Sequence, residues 1–180
     1  MNLNLFLMGL AQVGFGVLVG AVGIFVATRL LGWLLGWGQT DEELKKGNVA
    51  TGILKGASIL SLGILAQHAV QATFAAIDLS FRGEQVSTEM VLTFLLYGSI
   101  HVSVAFAVGS LVLWFGAWLF SKLTRGVDEI AEVRKGNIAP ALVLGAVLVV
   151  LALATAPGLE VALQGLIPLP QLGRDEMIAP

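Results

Sequence analysis

Residues 132–157 read EVRKGNIAPALVLGAVLVVLALATAP. The last twenty of these, 138–157, carry no charge. About 20 apolar residues at a rise of about 1.5 Å each cross a hydrocarbon core roughly 30 Å thick. Three further stretches share this character: 3–38, 48–78 and 91–121. The whole chain agrees with them. Its apolar fraction is 57% and its charged fraction 12%, where soluble domains run at about 45–50% and about 25%. Mean hydropathy is +0.89. A water-soluble fold of 180 residues cannot hide that much apolar surface, so the composition predicts an all-α integral membrane protein with four transmembrane helices and the lipid bilayer as its first partner. A net charge of −2 offers no footprint for nucleic acid. The absence of cysteine removes disulfides, thiolate zinc sites and iron–sulfur clusters. No Lys or Arg precedes the first apolar run, and that run is too long for the core of a signal peptide.

The polar head of the opening stretch occurs twice. Residues 132–139 read EVRKGNIA and residues 43–50 read ELKKGNVA. Laying residues 1–83 on 90–172 without gaps, an offset of 89, gives 17 identical positions. The strongest run is Glu43, Lys46, Gly47, Asn48 and Ala50 on Glu132, Lys135, Gly136, Asn137 and Ala139; Gly9, Gly20, Gly56 and Ala57 match Gly98, Gly109, Gly145 and Ala146 within the apolar stretches. The chain divides into two membrane repeats, 1–83 and 84–180, each a helical hairpin. An even number of crossings gives both repeats the same orientation, so they are parallel repeats related by an axis along the membrane normal. The shared element also predicts its own geometry. Thr40 and Glu43 have the spacing of a capping box. Gly47 and Gly136 suit the left-handed residue that ends a short helix, and Asn48 and Asn137 suit the cap of the next one.

With its acidic-basic-Gly-Asn-x-Ala element standing twice before an apolar helix, the chain resembles the domain-of-unknown-function-350 family, YjfL-type bacterial inner-membrane proteins. The likeness covers nearly the whole chain. It implies two hairpin units, an inner-membrane location, Gly47, Asn48, Gly136 and Asn137 as signature positions, and a role in envelope maintenance. It implies no catalytic residue.

Charge sets the orientation. Arg29, Lys45, Lys46, Lys55, Lys122, Arg125, Arg134 and Lys135 fall at the ends joined by the two Gly-Asn loops; only Arg82 and Arg174 fall on the other side. Basic loops stay in the cytoplasm, which predicts a multi-pass protein of the bacterial inner membrane with both termini periplasmic. Trp33, Trp37, Trp114 and Trp118 lie toward the same cytoplasmic ends, as an interfacial belt does. Arg29 and Lys55 are placed to snorkel toward that surface.

Glycine, 22 of 180 residues, forms small-residue faces at Gly16/Gly20, Gly32/Gly36 and Gly52/Gly56, with Ala141/Gly145 alike. Such faces let helices approach closely, within the bundle or between copies. Toward the outer ends, Gln12, Gln67, His68, Gln71, His101 and Glu160 form a candidate polar layer, with Tyr97, Asp78 and Gln164 nearby. The repeat pairs Gln12 with His101 and Gln71 with Glu160. His101 stands 21 residues before Lys122, about 31 Å of helix, which puts this layer near the outer interface.

Two histidines without an attachment motif are a poor basis for haem, and no cofactor or metal is expected. No metalloprotease, phosphate-loop or serine-hydrolase motif occurs, so no enzyme is expected. Two functional readings remain. One is a non-catalytic component that forms homo-oligomers or docks a cytoplasmic protein at the Gly-Asn loops. The other is a small ion or proton channel or transporter using the outer polar layer.

Overall fold

The computed structural model describes residues 3–35, 39–81, 87–124 and 128–166, and within these there is no strand. Gly36, Trp37, Arg82, Arg125 and Arg174 lie outside the described residues. The elements are α1 (Leu3–Leu35), α2 (Gln39–Lys45), α3 (Val49–Ser80), α4 (Thr88–Leu123), α5 (Glu129–Arg134) and α6 (Ile138–Gly165). Four of them, α1, α3, α4 and α6, are long and apolar enough to cross a membrane. The shortest, α6, has 28 residues, about 42 Å of helix.

Local chemistry ends these helices where the sequence places polar residues. Asn48 opens α3, its side-chain oxygen accepting from the Thr51 amide at 3.1 Å. Ser87 caps α4, Asp128 caps α5 and Asn137 caps α6 in the same manner. Helix α6 continues through Pro157 to Gly165, so the break in hydropathy at the proline does not end the helix.

Neighbouring long helices alternate in direction, while α3 and α6 run parallel. Ala57 of α3 faces Gly145 of α6, and His68 of α3 faces Glu160 of α6. Helix α3 is central, packed on α1, α4 and α6; 44% of its span is buried, against 17% for α1. Lipid tails are as apolar as leucine, so cohesion comes from close packing and interhelical hydrogen bonds. The packing is built on small residues. Gly109 lies under Leu62 and Leu65, Gly116 under Leu148 and Leu151, and Gly145 against Ala57. Phe15, Phe74 and Phe94 meet edge to face with centroids 5.0–6.1 Å apart. Ser58, Ser61 and Thr155 donate to carbonyls one turn back, so their hydroxyls need no water. The outward faces carry exposed Val17, Phe25, Leu92, Leu111, Val150 and Leu153, as a lipid-facing rim requires.

Small-residue faces are used unevenly. Ala141 is fully buried, and Gly145 sits in tight contact. Gly16, Gly20, Gly32 and Gly56 have no neighbouring atom within 4 Å of an added Cβ, and Gly52 meets only Leu44. A small-xxx-small spacing marks a surface capable of close approach, but not whether the same chain fills it.

Candidate functional site

Two compact loops stand at one end of the bundle. In the first, Gly47 has φ +79°, a left-handed conformation that L side chains adopt only under strain. It lets the Gly47 amide donate to Leu44 O at 3.0 Å and the Asn48 amide donate to Glu43 O at 2.9 Å, the two bonds of a Schellman end. The second loop has the same geometry. Gly136 has φ +88°, the Gly136 amide donates to Val133 O at 3.0 Å and the Asn137 amide to Glu132 O at 3.0 Å. The signature acids complete each loop. Lys46 Nζ donates to Glu43 at 3.0 Å and Lys135 Nζ to Glu132 at 2.7 Å. Asn48 and Asn137 each donate to the same acids at 3.2 Å.

The capping box expected from Thr40 and Glu43 does not form. Helix α2 already includes Gln39, so Thr40 lies inside the helix, buried, with its hydroxyl unpartnered among the described residues. The Glu43 carboxylate instead turns to Lys46 and Asn48.

Electrostatics follow these contacts. The Lys46 ammonium, then the Asn48 amide, hold the Glu43 carboxyl below the ordinary carboxylate value. Lys135 and then Asn137 do the same for Glu132. In return, hydrogen bonding to Glu43 raises Lys46, and Glu132 raises Lys135. A depressed carboxyl favours the folded loop above its unfolded value, and that support fades as pH falls through the folded one. The Asn48 side-chain amide resonances are therefore expected to titrate with a midpoint below 4.5, the ordinary value for glutamate. A midpoint at or above that value in an NMR titration would contradict the contact.

The loops differ in what lies beyond them. Asn48 Nδ2 also donates to Val133 O at 3.2 Å and Arg134 O at 3.0 Å, at the end of α5. It thereby ties α3 to the second loop. Asn137 Nδ2 has only Glu132 as a side-chain hydrogen-bond partner among the described residues. Ala50 and Leu54, which follow Asn48, are buried; Ala139 and Val143, at the corresponding places after Asn137, are exposed. They border a concavity of about 740 Å³ that Asn137, Glu132 and Lys135 also line. Asn48→Ala is expected to cost about 2 kcal/mol, since it loses both a cap and the bridge, whereas Asn137→Ala costs about 1 kcal/mol, the cap alone. Reversible unfolding in mixed micelles measures both; equal costs would refute the bridge.

Lys55 Nζ reaches Asp41 of α2 at 3.2 Å, a snorkel toward the loop end. Arg29 lies over the Phe25 ring at 5.1 Å. Trp33, Trp114 and Trp118 are exposed.

At the opposite end the polar candidates separate into groups. His101 is 1% exposed and joins three helices. Leu163 O, 3.1 Å from Nε2, can only accept, so Nε2 carries the proton. Nδ1 is then the acceptor for the Thr73 hydroxyl at 3.0 Å, whose proton is shared with Ala69 O at 2.7 Å. Both ring nitrogens are thus occupied within the bundle. A cavity of about 190 Å³ lies beside the ring, lined chiefly by Ala72, Ala75, Ala76 and Leu163. His68 Nδ1 comes within 3.2 Å of Glu160 Oε2, at an angle too poor for a hydrogen bond. Gln164 donates to Glu160 Oε1 at 3.4 Å. Gln12, Gln67 and Gln71 are exposed; Gln67 lines a groove between α1 and α3, away from His101. Sequence reasoning missed Thr73 because a hydroxyl amid Ala and Phe looks like core filler. Its position 28 residues before His101 has no periodic signature.

No curated protein and no solved structure matches the chain. The model of one family, described as Domain of Unknown Function (DUF350), matches residues 4–159. With that match spanning nearly all of the four helices and both Gly-Asn loops, the chain belongs to the DUF350 family.

Proposed function

We propose that this protein is a non-catalytic component of the bacterial inner membrane that oligomerises or docks partners through its two Gly-Asn loops. The loops face the cytoplasm and both termini face the periplasm, in keeping with the eight-to-two division of basic residues. One observation carries the reading. Both loops have the same rigid, left-handed build, yet one is seated against the other half of the chain and the second opens onto a concavity. The second loop is held from behind by Asn48, but its own Asn137 has no side-chain partner across the chain among the described residues. Such a prebuilt face is suited to an external partner, because little ordering entropy remains to be lost on binding. The polar groups at the other end support a structural role there, since His101 spends both ring nitrogens on joining helices. Cross-linking followed by affinity purification from native membranes tests the proposal. It expects a discrete complex containing this chain, with Asn137→Ala weakening it. Recovery of a lone monomer overturns it.

A further inference from the structure

The groove between α1 and α3, about 550 Å³, is lined by Gly16, Val19, Gly20 and Gly23 from one side and Ile59, Gly63, Gln67 and Val70 from the other. At the repeat offset of 89 these positions correspond to Ala105, Val108, Gly109, Val112, Leu148, Ala152, Ala156 and Leu159. That second set is the groove between α4 and α6, which α3 fills: Leu62 and Leu65 rest on Gly109, and Ala57 rests on Gly145. The first groove has the same design, and among the described residues no helix fills it; only the Phe106 ring reaches its Gly23 end.

The matching surface is also present. The α3 residues Leu65, Ala69, Thr73 and Ala76 are buried, chiefly against α4 and α6. Their counterparts on α6, Ala154, Gly158, Ala162 and Gly165, are all exposed. The loops follow the same rule. Asn48 at the start of α3 donates to the last carbonyls of α5, while Asn137 at the start of α6 overlooks a concavity. The carbonyls equivalent to those of Val133 and Arg134 belong to Leu44 and Lys45, at the end of α2.

We propose that the occupant is a second copy of this chain: α6 of one copy lies in the α1/α3 groove of the next, with Asn137 donating to Leu44 and Lys45 carbonyls across the interface. This deepens the docking role proposed above and rests on it. The contact is head-to-tail and uses two different surfaces, so each copy leaves one of each free and the assembly grows into a ring or a row. Because α3 and α6 run parallel, every copy keeps the same orientation in the bilayer, as a membrane requires.

The absence of cysteine makes the test direct. Within the chain, Ala57 Cβ lies 3.0 Å from a Cβ built on Gly145, and their counterparts are Ala146 and Gly56. Ala146 is exposed and a Cβ on Gly56 meets nothing within 4 Å, so neither Ala146→Cys nor Gly56→Cys disturbs the single chain. The two full-length variants, differently tagged and co-expressed, are oxidised in membranes. The mixed pair is expected to give a disulfide dimer about tenfold more abundant than either variant alone, since only the mixed pair has Cβ atoms near bonding range. A chain with both substitutions is expected to give a ladder of multimers. Gly63→Leu, added where the single chain has open space, is expected to reduce the mixed dimer about fivefold by filling the groove. If amine cross-linking still recovers complexes but the mixed disulfide is absent, the head-to-tail contact is wrong and the docking role survives. Equal disulfide in either single variant alone, or a mixed dimer indifferent to Gly63→Leu, also overturns the contact. A lone monomer in every case overturns both.

Discussion

Replacing His101 with alanine is expected to destabilise the bundle by about 2–4 kcal/mol, adding the lost packing of a buried ring to two lost hydrogen bonds. The ring joins α3, α4 and α6 near the ends opposite the Gly-Asn loops, and it is almost wholly enclosed. Removing it leaves the Leu163 carbonyl without its side-chain donor and enlarges the adjacent cavity of about 190 Å³. In a bilayer protein an interhelical hydrogen bond contributes about 0.6–1.7 kcal/mol, because the unfolded helices also find partners. His101→Gln restores one of the two bonds through its amide and is expected to fall between alanine and the parent. Steric trapping in bicelles ranks the three. Should alanine cost less than about 0.5 kcal/mol, the histidine is not a tie and its isolation from solvent needs another cause.

The second large effect is steric. Gly109→Leu is expected to destabilise the chain by about 3 kcal/mol, at the upper end of the range for overpacking a core. A Cβ there already lies 2.7 Å from Leu62 Cδ2 and 3.2 Å from Leu65 Cδ1. Both leucines are fully buried, so neither has free space to yield. The same substitution at Gly20, the matching position in the first repeat, meets nothing within 4 Å. It is expected to leave single-chain stability within about 0.5 kcal/mol of the parent. Unfolding of both variants in detergent, where copies are separated, reads the difference. Equal costs would show that α1 packs against its own bundle through Gly20.

These two glycines mark how far the sequence alone reaches. They share the same residue type and repeat position, and the spacing of small residues favours Gly16/Gly20 over Gly109, which has Ala105 before it. Yet Gly109 is packed and Gly20 is open. The polar residues behave likewise. His101 and Glu160 are legible as unusual in an apolar helix, but Thr73, which completes the His101 contact, is ordinary by composition. The loops were the most legible feature because their chemistry is local. A glycine ending a helix and an asparagine opening the next define their hydrogen bonds within about six residues. Even there, the Thr40 capping box failed, since the start of α2 lies two residues earlier than that pattern requires.

By itself the sequence determined the four apolar helices, the all-helical membrane class and the two left-handed loop ends. Each depends on hydropathy summed along one segment or on backbone freedom at one residue. Only the tertiary structure decided that α3 is central, that Asn48 bridges while Asn137 looks outward, and which glycine faces are filled. Those outcomes depend on which helix lies beside which. In a bilayer that choice is made by close packing and a few interhelical hydrogen bonds, neither of which leaves a period in the sequence.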